Sequence, residues 1–316
     1  MQNDLVQPNG NESGVVIPAP RRRPSNIWLI IVAALFIIVP FLTWYFTWFG
    51  RALSDNKIAE YLADDQHPRN IQHALAQIEA RMEKNDASVK KFYPRIVELT
   101  KNSNTEVRKT VAWVMGQDNT SEDFHRALLS LLNDVEPLVR RNAALQLVRF
   151  TDANGHPDAS GRPELRTMLQ PFEAKSPIAG TLVSLLPVGS EVHAGSLLAR
   201  IRDSSGNLQE FRAAVDGKII ATPASSLLTS NQTGDAAMTT PLVSKEGDQV
   251  QANQTIAWLA PDRATILNAL GALAYVGTRE DLPLIQQCAQ VEGGTETLQQ
   301  AAATAKLIEK RVSALH

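Results

Sequence analysis

Cysteine is almost missing from this chain: one residue, Cys288, in 316. A single thiol excludes a disulfide within the chain and any zinc site built on several cysteines. It lies in the apolar run "LPLIQQCAQV", where a buried structural thiol is expected rather than a reactive one. Excess charge is missing too. Lys and Arg number 31 against 33 Asp and Glu, a formal net charge of −2. That balance excludes a globally basic nucleic-acid binder, so no nucleic-acid partner is expected.

Histidine is scarce. The residues at 67, 73, 125, 156, 193 and 316 show no metal-ligand spacing and read as solvated or capping side chains. Asp64 and Asp65 fall where a helix end meets a turn and read as caps. The chain has no GxSxG elbow, no phosphate-binding loop and no dinucleotide-binding glycine pattern. No enzyme activity, cofactor or metal is therefore expected.

What is present begins with "IWLIIVAALFIIVPFLTWYFTWF", Ile27–Phe49, which carries no charge. A helix of that length rises roughly 34 Å, enough for a hydrocarbon core of roughly 30 Å. The stretch reads as one uncleaved transmembrane helix. Trp28 stands at one end and Trp44, Tyr45 and Trp48 at the other, as aromatic belts do. A signal peptide would have a shorter apolar region and a small-residue cleavage site. Arg21, Arg22 and Arg23 precede the span, against Arg51 and Lys57 after it. The positive-inside rule then predicts a single-pass protein of the inner membrane, with a cytoplasmic N-terminus and a periplasmic or extracytoplasmic bulk. Residues 1–26 are polar, with Pro and Gly, and read as a disordered tail.

From Lys57 onward the spacing turns helical. "KIAEYLADD" and "NIQHALAQIEARMEK" place Ile71, Leu75, Ile78 and Met82 on one face. A near-repeat follows: "IVELTKNSNTEVRKTVAWVMGQ" (96–117) and "LLSLLNDVEPLVRRNAALQLVRF" (128–150) share an apolar helix end, an Asn/Asp-rich turn and a Val-Arg pair opening the next helix. Val107-Arg108 and Val139-Arg140 are 32 residues apart, a period of stacked helical hairpins. This pattern resembles HEAT repeats of the short, phycobilisome-lyase-like type. The resemblance implies a scaffold in which Arg108 and Arg140 support the turns between helices, with partner binding as their alternative role. Lyase activity does not follow, because such repeats host many functions. The mildly basic run Lys90, Lys91, Arg95, Lys101, Arg108 and Lys109 reads as a solvated helix face.

After "RPELRTMLQPF" the pattern changes to β-like and stays so to Pro261. Then "DRATILNALGALAYVG" resumes the helical theme, with Asn142-Ala143 alignable on Asn268-Ala269. The expected organisation is helical repeats over 57–171 and 262–316, with a β domain at 172–261 inserted into a helical hairpin. Within the insert, "SPIAGTLVSLLPVGSEVHAGSLLARI" is mirrored by "AAVDGKIIA" and "SKEGDQVQANQTIAWL", so Gly217 answers Gly180, Gly247 answers Gly189 and Val250 answers Val192. The glycines read as tight turns. Val183, Val188, Val192 and Leu198 are the expected small core.

Two such halves resemble the biotinyl/lipoyl domain, the barrel-sandwich hybrid also found in membrane fusion proteins. Carrier members bear a lysine on the hairpin between the halves; here that link, "RDSSGNLQEFRA", has none, so no biotin or lipoate is expected. Membrane fusion members carry a long helical hairpin there, and this link is a short polar turn. The second half instead holds a Ser/Thr-rich segment, 222–243, expected to be a surface loop that is either a contact arm or slack.

The fold class expected is thus α+β multidomain: one transmembrane helix, an α-helical HEAT-like solenoid and an inserted all-β hybrid. The expected function is a non-enzymatic, membrane-anchored scaffold or accessory subunit that grips the extracytoplasmic part of a membrane protein complex and touches the lipid bilayer through 27–49. The alternative is a periplasmic adaptor of an export pump.

Overall fold

The computed structural model describes residues 27–48, 52–221, 244–292 and 294–313. The chain divides into two units, Met1–Ala52 and Leu53–His316.

In the first unit, helix α1 (Ile27–Trp48) contains Pro40. Side chains are described at 28 and over 31–42. Among the described residues no helix is long and apolar enough to cross a membrane. This corrects the fold class expected above in its transmembrane element. With it go the single-pass topology, the bilayer contact through 27–49 and the inner-membrane, cytoplasmic and periplasmic placements. Trp28 is exposed; residues 1–26 with Arg21, Arg22 and Arg23, and the side chains of Trp44, Tyr45 and Trp48, lie outside the described residues.

In the second unit, short polar caps and prolines start the helices. Ser54 accepts from the Lys57 N–H to open α2 (Asp55–Leu62). Pro68 opens α3 (Pro68–Met82), where a missing N–H costs nothing. After a 3-10 turn come α4 (Tyr93–Glu98) and α5 (Thr105–Met115). Asn104 caps α5 by accepting from the N–H groups of Glu106 and Val107. Ser121 caps α6 (Glu122–Leu131), and α7 (Pro137–Leu147) and α8 (Arg162–Thr167) follow. After the strands, Asp262 caps α9 (Arg263–Val276), followed by α10 (Leu282–Glu292) and α11 (Thr295–Ser313).

Helices α3, α5 and α7 pack in succession, as do α9 and α11. One apolar core runs from Ile58 on α2 to Leu147 on α7. A second joins Leu165, Met168 and Leu169 to Ile266, Leu270 and Leu273. The chain therefore leaves this second core before residue 172 and re-enters it after 261, and the helices on either side of the strands share one interior.

Between them lie two four-stranded antiparallel sheets. The strands are β1 (Phe172–Lys175), β2 (Gly180–Leu185), β3 (Glu191–Val192), β4 (Leu197–Arg202), β5 (Leu208–Arg212), β6 (Gly217–Ile220), β7 (Gln249–Val250) and β8 (Thr255–Pro261). Their orders are β1-β8-β6-β3 and β5-β4-β2-β7. The pairing is reciprocal between the two halves. Gly180 of β2 faces Val250 of β7, and Gly217 of β6 faces Val192 of β3. The Gly189 N–H donates to the Ile219 carbonyl at 2.8 Å, and the Gly247 N–H to the Leu182 carbonyl at 2.8 Å. Each half closes the other's sheet, so neither is complete alone.

The glycines have two separate reasons. Gly189 and Gly247 both have φ of 93°, the left-handed region that side chains avoid. Gly180 and Gly217 are not turn residues; they open strands where a Cβ would lie 2.3 Å from the Arg202 carbonyl oxygen and 2.4 Å from that of Ala260. The expected small core is corrected as well. Val192 and Leu198 are buried beside Val215, Ile219 and Leu259, but Val188 is exposed because it stands in the turn before Gly189 rather than on a strand. The segment 222–243 lies outside the described residues.

Candidate protein-interaction surface

Arg108 and Arg140 occupy the same place in successive turns. Arg108 Nη1 donates to the carbonyls of Asn102 (2.9 Å) and Ser103 (3.2 Å). Arg140 Nη1 donates to those of Asp134 (2.9 Å) and Val135 (3.2 Å). Each arginine ties down the turn that precedes its own helix and then reaches the next layer. Nε and Nη2 of Arg108 grip the Asp134 carboxylate at 2.7 and 2.9 Å, and Arg140 Nε meets Glu164 at 3.2 Å. Both partners of the first pair are nearly buried. The Asp134 hydrogen bonds push the Arg108 guanidinium further up. Burial works against the Asp134 carboxylate, but the bonds from Arg108 and the Glu136 N–H outweigh it and hold the group below its ordinary range. Arg108 has few donors left for a partner.

A second cluster escaped the sequence reading. Asp281 is fully buried and accepts from Arg162 Nε (2.8 Å), Arg166 Nη1 (2.9 Å) and the Thr278 N–H (2.7 Å). Its bond to Arg162 spans 119 residues. It clamps the helix that precedes the strands to the turn that follows α9. Thr278 and Asp281 form a local capping box, but no local pattern announces the two arginines, which lie on the other side of the strands.

Arg141 was likewise missed. It is 5% exposed, and its Nε has no hydrogen-bond partner. Burial pulls its pKa down; Glu164, Asp262 and Asp216 act on it only through space. Adjacent arginines of one helix have different surroundings: Arg140 holds a turn, and Arg141 is buried.

Other expected positions are placed as follows. Cys288 is buried, its thiol donating to the Ile285 carbonyl. His125 is more than a solvated residue: it stacks on Phe150 and pairs with Asp158 at 2.6 Å. Asp64 accepts from His67 and Asn70, and Asp65 from Arg95 and Asn102. Of the basic run, Lys91 pairs with Asp55, Arg95 with Asp65, and Lys109 with Glu106. Among the described residues no group of three His, Cys, Asp or Glu side chains is placed to share a metal. A polar cleft of about 350 Å³ lies between Asn85, Lys90, Tyr93 and Thr120. There Tyr93 donates to Asp118 at 2.7 Å; burial, then that carboxylate, push the phenol's pKa up, so it serves as a hydrogen-bond donor and not as a base.

The outward helix faces carry the remaining candidates. Trp113 on α5 is 45% exposed, and its ring N–H donates to Glu79 of α3 at 2.6 Å. Tyr275 on α9 is 63% exposed. No family model matches this chain. No curated protein matches it either.

Proposed function

We propose that this chain is a non-enzymatic protein-binding scaffold: a HEAT-like helical stack with an inserted barrel-sandwich-like β domain, which holds another protein on the outward faces of its helices. The observation that carries this reading is Trp113, an aromatic ring exposed on a helix face yet held in one orientation by its bond to Glu79. A large, pre-oriented aromatic loses little freedom on binding and is the kind of group that anchors interfaces. The 32-residue recurrence of the Arg108 and Arg140 turns supports the repeat reading, and the reciprocal strand pairing supports the hybrid one. Of the buried charged groups, Arg108 and Asp281 hold turns and layers together, which supports a frame rather than a reaction centre.

The test is quantitative co-purification of the tagged full-length chain with its partners, compared with Trp113→Ala. The reading expects a stoichiometric partner whose recovery falls in the variant while the thermal melt stays within a few degrees. A chain that recovers no partner, or recovers it equally with the variant, refutes it.

A further inference from the structure

One position on each of three helices lies between two buried pairs. On α5, buried pairs Val111-Ala112 and Val114-Met115 flank Trp113; on α7, Ala143-Ala144 and Gln146-Leu147 flank Leu145; on α9, Ala269-Leu270 and Ala272-Leu273 flank Gly271. Trp113 stands exposed there and Leu145 packs half-buried against the second core, whereas α9 places no side chain at all. A Cβ on Gly271 would meet nothing within 4 Å, so no neighbour requires glycine there. Glycine inside a helix weakens it relative to alanine. The chain keeps a gap that packing does not explain.

That gap is the floor of a groove of about 570 Å³ between α9 and α11, walled by Ala274, Tyr275 and Leu307 and ended by Lys310 and Arg311. Its walls are firmly held. Thr304 Oγ1 donates to the Leu270 carbonyl at 3.0 Å, and Arg311 Nη1 to that of Ala274 at 2.7 Å. These bonds set the two helices parallel, with the basic end one turn beyond Leu307. Tyr275 and Leu307 are more than half exposed. Among the described residues, no carboxylate pairs with Lys310 or Arg311. Arg311 Nη2 donates to the Gly277 carbonyl as well, so both its Nη groups are spent on the end of α9, and the groove joins an apolar slot to the exposed Lys310 ammonium.

We propose that this groove accepts an acidic, amphipathic segment of a partner protein: one large apolar side chain fills the space over Gly271, and a carboxylate one helical turn along, about 5 Å away, meets Lys310. The proposal rests on the scaffold reading and names the chemistry of what the scaffold holds.

The experiment is selection of helix-forming peptides from a randomised display library on the purified full-length chain. Selected peptides are then measured by fluorescence anisotropy against the native chain, Gly271→Leu and Lys310→Glu. Leucine at 271 fills the slot in open space, and a Gly271→Ala control with a circular-dichroism melt shows that the helix tolerates a side chain there. The proposal expects selected peptides to carry an apolar residue with Asp or Glu three or four positions away, and both variants to bind at least about tenfold more weakly, the scale of one lost anchor. Peptides without acidic preference, binding unchanged in Gly271→Leu, or no selected binder overturns it. Loss of the co-purified partner with Trp113→Ala but not with Gly271→Leu would remove the groove and leave the scaffold standing.

Discussion

Asp281→Asn removes the charge at the centre of the longest-range polar cluster described. The native carboxylate is fully buried and takes two guanidinium groups and the Thr278 N–H. Asparagine offers one acceptor oxygen and turns an amide donor toward other donors. Removing one member of a buried ion pair costs about 3–5 kcal/mol, because the other is left uncompensated. Here Arg162 and Arg166 keep 21% and 35% of their side-chain surface in water and recover part of their hydration, which sets the expectation near the lower end, about 3 kcal/mol. For a unit spanning Leu53–His316 that corresponds to a midpoint lowered by about 6–12 °C. The assay is thermal unfolding followed by circular dichroism at neutral pH. A double-mutant cycle with Arg162→Leu isolates the pair and should show a coupling of about 1–3 kcal/mol. A single-variant midpoint within about 2 °C of the native chain would show that the apolar core shared by Leu165, Leu169, Ile266 and Leu270 holds the two flanks together without the clamp.

Three further outcomes follow from the geometry. The Asp134 carboxyl is held below the ordinary carboxylate range in the fold, so its contribution is fully present above the unfolded value of about 3.9 and is lost as pH falls through the lower folded value; Asp134→Asn should flatten the acid limb of a stability–pH curve below about pH 4, and an unchanged limb would refute the assignment. Arg141→Met removes a buried cation without a hydrogen-bond partner at Nε and keeps the length of its stem, so chemical denaturation should show equal or greater stability, up to about 1–4 kcal/mol; a loss above about 1 kcal/mol would mean that Arg141 is paired through water. Gly180→Ala and Gly217→Ala each drive a methyl into a strand carbonyl and should destabilise by about 1–3 kcal/mol each, by similar amounts because the two sites are equivalent; a large difference between them would break the reciprocity of the halves.

The helices between 57 and 150 and the paired glycine patterns of the insert are local signals, and the sequence carries them openly. An apolar face recurring every three or four residues, an Asn or Ser before it and a proline at its first turn need only neighbouring residues to act. The 32-residue interval between Arg108 and Arg140 is of the same kind, since each arginine bonds the turn five and six residues before it.

The candidate surface is less legible. Trp113, Leu145 and Gly271 look unrelated until the buried pairs beside them align their helices. Exposure of Tyr275 follows from what fails to cover α9, and the spacing within that helix does not contain it. The membrane-spanning expectation shows the same limit from the other side, because an apolar run in the sequence became α1 without a described helix long and apolar enough to cross a bilayer.

By itself the sequence determined where helices begin, which turns repeat, and that the two halves of the insert correspond, because those depend on backbone preference and short-range periodicity. Only the tertiary structure decided that Arg141 is buried while Arg140 grips a turn, and that Asp281 reaches across 119 residues to Arg162. It also decided that Gly180 and Gly217 are required by space rather than by φ. Burial, close approach and long-range charge pairing depend on which surfaces meet, and that is settled only when the chain has closed on itself.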